Sequence, residues 1–164
     1  MSLVTILGID PGSRFCGYGL IGSLGGGRIA YRECGVIEPV LRASLESRLG
    51  ELLAELTALV EEVQPAALAV EGVFAGKNAR TAFALGQARG VVLAVAGFHK
   101  LPVFEYAPAT VKRAVAGNGN ATKHQVSKMV RALCHLQTVP RVDATDALAV
   151  AICHVFHQKI RIKR

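Results

Sequence analysis

Apolar positions along this chain change period in a regular order. Leu3 to Ile9 is a short apolar run closed by Asp10-Pro11-Gly12-Ser13, which predicts a buried strand ending in a turn. Gly17 to Ile21 and Ile29 to Ile37 predict two more strands, and Gly25-Gly26-Gly27 between them suits a hairpin turn. The period then lengthens. Leu45, Leu49, Leu52, Leu53, Leu56, Val60 and Val63 recur at intervals of three and four, one stripe of a helix. Ser44 is placed to cap this helix and Pro65 to stop it, while Glu51, Glu55, Glu61 and Glu62 fall on its solvated side. Ala66 to Val70 predicts another buried strand, ending at Glu71. A helix from Ala79 to Phe98 follows, nearly all apolar or small. A helix so apolar is expected to be buried on several sides, part of it against another subunit, where Gly86 and Gly90 permit close approach. Pro102 to Tyr106 reads as a strand, and Ala109 to Ala116, Thr122 to Leu136 and Ala144 to Gln158 as helices. This order predicts an α/β fold, a mixed sheet flanked by helices on both faces.

With 164 residues, 51% apolar and 19% charged, the chain is expected to fold as one domain over residues 1–158. A basic segment, 159–164, is expected to follow as a mobile tail. No uninterrupted apolar run approaches the roughly 20 residues of a membrane span, and no basic leader opens the chain. Cys16, Cys34, Cys134 and Cys153 form no CxxC pair and sit in apolar surroundings, so they read as buried, reduced thiols of a cytoplasmic protein.

Charge is unevenly spread. Residues 1–71 carry five Arg and nine acidic residues, a net of −4, whereas residues 72–164 carry fourteen Lys and Arg against three acids, a net of +11. Such asymmetry is what a polyanion-binding face produces, although a basic solvated surface gives the same count. Against this excess, four carboxylates stand out. Asp10 and Glu71 each close an apolar strand, at the strand ends where open α/β sheets collect their ligands. Asp143 and Asp146 share one face at the start of the last helix. Four acids brought together repel one another, and oxygen-only ligands suit hard divalent ions such as Mg²⁺ or Mn²⁺. Two such ions can clamp both oxygens of a phosphodiester displacement. Each piece also has an ordinary explanation: Asp10-Pro11-Gly12 as a turn, Asp143 as a helix cap with Asp146 in the first turn.

Leu7-Gly8-Ile9-Asp10-Pro11-Gly12-Ser13 with Gly17-Tyr18-Gly19 resembles the opening of the RuvC family of Holliday-junction resolvases. Val70-Glu71-Gly72-Val73-Phe74, Lys77-Asn78 and Leu85-Gly86-Gln87-Ala88-Arg89-Gly90 resemble its second block. Val103-Phe104-Glu105-Tyr106 with Val111-Lys112, and Asp143-Ala144-Thr145-Asp146-Ala147-Leu148-Ala149, resemble the third and closing blocks. The resemblance spans nearly the whole chain. It implies a ribonuclease-H-like fold, a homodimer, and a metal-dependent endodeoxyribonuclease that resolves four-way DNA junctions, assisted by the RuvA–RuvB branch-migration complex. It makes Asp10, Glu71, Asp143 and Asp146 the catalytic carboxylates that hold two Mg²⁺ or Mn²⁺ ions. Phe74 becomes a junction-contacting residue, and Lys112 and Lys123 become basic residues near the scissile phosphate that stabilise its charge. Lys77, Arg80 and Arg113 are further candidates for DNA contact, Arg113 on an exposed basic helix face with Lys112 and Lys123. Gly72 departs from the polar residue common at that position, and the tail is short. Taken from the residues alone, a same-fold nuclease acting on structured RNA remains an alternative. A sugar-kinase-like ATPase would need a second such domain, and a junction-binding module without catalysis would have no need of all four acids.

Overall fold

A computed structural model describes residues 3–72 and 79–161, with side chains through Gln158. Five strands form one mixed sheet: β1 (Val4–Asp10), β2 (Cys16–Ser23), β3 (Ile29–Ile37), β4 (Ala67–Glu71) and β5 (Val103–Tyr106). Their spatial order is β3-β2-β1-β4-β5. The hairpins β1–β2 and β2–β3 are antiparallel, whereas β1–β4 and β4–β5 are parallel. Parallel neighbours need crossovers, and helices α1 (Leu45–Val63) and α2 (Ala79–Phe98) provide them. These two cover one face. Helices α3 (Pro108–Ala116), α4 (Lys123–Leu133) and α5 (Val142–Arg161) cover the other.

The α1 boundaries agree with the pattern. Ser44 Oγ accepts from the Ser47 N–H at 3.4 Å, and the helix ends where Gln64 turns left-handed before Pro65. Leu52, Leu56 and Val60 are its buried stripe. One of its acids, Glu51, is not simply solvated: its carboxylate accepts from the Val40 N–H at 2.9 Å. α5 starts at Val142, so Asp143 lies inside the first turn and is not the cap residue; the Thr145 N–H bonds the Arg141 carbonyl instead. α5 also runs to Arg161, three residues past the end the pattern suggests. Cys16, Cys134 and Cys153 are buried free thiols, whereas Cys34 on edge strand β3 is only half-buried.

Within this one chain α2 is buried along one side. It buries only Ala88, Val92, Val95 and Ala96, in the core shared with α1 and the sheet. On its far side Phe83 is 69% exposed, and among the described residues nothing lies within 4 Å of where Gly86, Gly90 or Gly97 would carry a Cβ. Small residues make every face of this helix apolar, so composition alone does not tell its inward side from its outward one. By length and composition α2 also qualifies for a membrane span; in this fold its buried stripe faces the core.

α5 lies unusually close to the sheet. A Cβ on Gly8 would stand 2.0 Å from the Ala147 carbonyl oxygen, and one on Gly17 would stand 2.0 Å from that of Asp143. Only residues without a side chain permit this approach, and it sets where the acidic start of α5 sits.

Candidate active site

β1 and β4 end side by side, with Ile9 in register with Val70, and the next residue on each strand is an acid. Alternation decides which way these acids face. Ile6, Ala67 and Ala69 pack on the α5 side, while Leu7, Ile9, Leu68 and Val70 pack on the α1–α2 side. The period of two therefore directs Asp10 and Glu71 toward α5. Asp10 is the register partner of Gly17, and the Asp143 main chain lies against Gly17. Asp146 follows three residues on, along the same helix face.

Electrostatics record the convergence. The Asp10 carboxyl is pushed up to about 7, first by burial and then by the charges of Asp146, Asp143 and Glu71, with Lys123 opposing. Burial and the charge of Asp146 also raise Glu71, against Lys123 and Lys112. Asp146 is raised by burial, with Lys123 pulling it down across a 3.5 Å ion pair. Among the described residues, three adjoining cavities form the cleft. One of about 190 Å³ is lined by Glu71, Asp146, Lys112 and Lys123. One of about 150 Å³ is lined by Asp10, Glu71 and Arg89, and shares Glu71 and Pro108 with the first. The third, about 590 Å³, holds Asp143, Arg14, Phe15 and Arg80, and adjoins the second at Leu85.

This donor set fits a hard divalent cation: it is all oxygen, and its crowded negative charge is what such an ion neutralises. Among the described residues the acids line the cleft without three of them closing into a ready cage.

Of the DNA-contact candidates, Lys112, Lys123 and Arg80 line the cleft. Arg113 does not; its guanidinium lies beside Gly119 in the α3–α4 turn. Phe74 and Lys77 lie outside the described residues. His124, exposed beside Lys123, does not line the cleft. Three lining residues escaped the sequence reading: Arg14 and Phe15, just past the turn after Asp10, and Arg89. The legible signal for Arg89 was a single charge inside the apolar run from Ala82 to Phe98. Phe15 is also held from outside, with the Arg141 guanidinium 4.9 Å from its ring centre and Arg141 ion-paired to Glu38.

The family model "Crossover junction endodeoxyribonuclease RuvC" matches residues 6–154. The chain belongs to the RuvC family. The RuvC of Myxococcus xanthus is 47% identical over 159 residues, covering 96% of this chain and 83% of that protein. The RuvC of Pelotomaculum thermopropionicum is 45% identical over 163 residues, covering 96% and 99%. The structure of Thermus thermophilus RuvC in complex with a Holliday junction substrate superposes with a TM-score of 0.90 at 32% identity, over 96% of each chain. The fold is thus the ribonuclease-H-like fold of RuvC. Membership makes the chain a DNA endonuclease, and the family is one of divalent-metal-dependent phosphodiester hydrolases.

Proposed function

We propose that this RuvC-family nuclease resolves four-way DNA junctions by paired symmetric nicks, with Asp10, Glu71, Asp143 and Asp146 as its metal-holding carboxylates. The observation that supports this most is the meeting of four acids from β1, β4 and α5 with Lys112 and Lys123 in one cleft. Two Mg²⁺ or Mn²⁺ ions held by these acids would supply activated water and neutralise charge on the phosphate. Lys123 and Lys112 line the cavity that adjoins that of Asp10 and shares Glu71 with it, and they would stabilise the charge that the phosphoryl oxygens gain. Lys123 also holds Asp146 in place through their ion pair. Arg80 and Arg14 line the wide end of the cleft, placed for flanking phosphates. Phe74 and Lys77, which follow β4 in the sequence, are assigned to junction contact, with Phe74 stacking on a base. Arg113, away from the cleft, contacts an outlying phosphate.

The working form is a homodimer. The outward face of α2, with Phe83, Gly86, Gly90 and Leu93, supplies an apolar surface for a second copy, and a two-fold assembly matches a junction's symmetry. The setting is cytoplasmic, the process recombinational repair, and the RuvA–RuvB branch-migration complex the partner.

The test is cleavage of a mobile synthetic junction, with linear duplex and an RNA hairpin as controls, in Mg²⁺, Mn²⁺ and EDTA. Symmetric paired nicks on the junction, only with metal, are expected. Cutting of the RNA with the junction left intact would overturn the substrate assignment.

A further inference from the structure

Arg89 is the one charged side chain between Arg80 and the end of α2. It sits on the inward side of the helix, next to the buried Ala88, and its side chain is only 11% exposed. One guanidinium nitrogen donates to the Glu71 carbonyl oxygen at 3.0 Å, and the other pairs with Glu105 Oε1 on β5 at 2.5 Å. The same side chain lines the small cavity between Asp10 and Glu71.

The place of that carbonyl is informative. The Gly72 N–H bonds the Tyr106 carbonyl on β5 at 2.7 Å, and the intervening peptide is trans, so the Glu71 carbonyl points the other way, toward β1. There the β1–β4 pairing has already stopped, at Ile9 opposite Val70. The strand end that carries Glu71 is thus left with an unpaired main-chain acceptor beside the cleft. Arg89 takes that acceptor from the α2 side while the Glu71 carboxylate faces α5.

We propose that Arg89 is a positioning residue for the metal site: by gripping the Glu71 carbonyl, with Glu105 orienting its guanidinium, it fixes the peptide that aims the Glu71 carboxylate. The proposal rests on the reading of Glu71 as a metal-holding residue. A two-pronged grip needs the planar fork of arginine, which a lysine ammonium cannot reproduce. Partners standing behind a metal ligand commonly set affinity by 10- to 100-fold, and the effect expected here is of that size.

The experiment titrates Mn²⁺ into DNA-free protein by calorimetry, for wild type, Arg89→Lys, Arg89→Met and Glu105→Gln, with junction binding in EDTA and thermal melting measured alongside. Both Arg89 variants should bind Mn²⁺ about 10- to 100-fold more weakly. Glu105→Gln, which keeps the grip on the carbonyl, should show a smaller loss, and junction binding should stay within about twofold of wild type. In single-turnover cleavage, the metal concentration for half-maximal rate should rise for the Arg89 variants, with the rate recovering at saturating Mn²⁺. Wild-type Mn²⁺ affinity in folded Arg89→Lys overturns the proposal, as does a slower rate with unchanged metal dependence. Should Arg89→Met fail to fold, Arg89→Lys decides alone. The calorimetry needs no substrate, so a wild type that binds Mn²⁺ but leaves junctions uncut defeats the substrate reading and leaves this one standing.

Discussion

Asp10 carries the highest raised acid in the cleft, and its environment makes it costly to ionise. With a carboxyl at about 7 in the fold against 3.8 for an ordinary aspartate, the folded, metal-free protein binds a proton that the unfolded chain releases. That contribution to stability is fully present below the unfolded value and is lost as pH rises through about 7. Glu71 and Asp146 are raised too and act in the same direction. Metal-free protein should therefore melt at higher temperature at pH 5 than at pH 8. Asp10→Asn should raise the melting temperature at pH 8 and flatten the dependence. In junction assays the same variant should bind normally and cut nothing. At limiting metal, wild-type cutting should decline as pH falls below about 7, because Asp10 must lose its proton to hold a cation, and more metal should move the midpoint to lower pH. A midpoint that does not move with metal concentration would contradict the assignment. Lys123→Ala and Lys112→Ala each remove positive charge from the same cleft and should slow cutting by about 100-fold with smaller effects on binding.

At the scale of elements, the decisive contact is α5 against β1 and β2. Gly8→Ala or Gly17→Ala puts a methyl group onto helix backbone at 2.0 Å, and the helix has to move away. Each should destabilise the protein by about 1–3 kcal/mol in urea unfolding, as overpacked cores do. Because the Gly17 clash falls on Asp143 itself, Gly17→Ala should also weaken cutting more than its stability loss accounts for. Gly50→Ala in α1 is the matched control. Gly50 is exposed with nothing within 4 Å, so alanine there should stabilise by about 0.5–1 kcal/mol and leave cutting unchanged.

For the molecule as a whole, two surfaces carry the argument. The outward face of α2 around Gly86, Gly90 and Leu93 is apolar and, among the described residues, exposed, so Leu93→Glu or Gly90→Arg should shift sedimentation from dimer to monomer while the fold persists. A wild-type monomer at micromolar concentration would count against the dimer. The basic second half should make junction affinity fall steeply with salt, and Lys112→Ala should reduce the slope of log affinity against log salt by about one. A flat salt response would remove the basic face from the account.

Apolar runs, the helical stripe of α1 and the turn, cap and proline signals between them were enough to place every strand and helix within about three residues, because runs of that length bounded by such breakers can only fold as strands or helices. Two of the four acids were legible as strand-terminal residues, since Asp10 and Glu71 each follow a short apolar run. Their meeting with Asp143 and Asp146 was not legible from pattern, because it depends on β1 pairing with β4 across some sixty residues of chain and on Gly8 and Gly17 admitting α5. Which side of α2 faces inward was equally hidden, because small apolar residues surround that helix and only packing breaks the tie. Arg89 shows the same limit. A lone charge in an apolar helix could be noticed in the sequence, but the unpaired Glu71 carbonyl that it meets exists only where one strand outlasts the pairing of its neighbour.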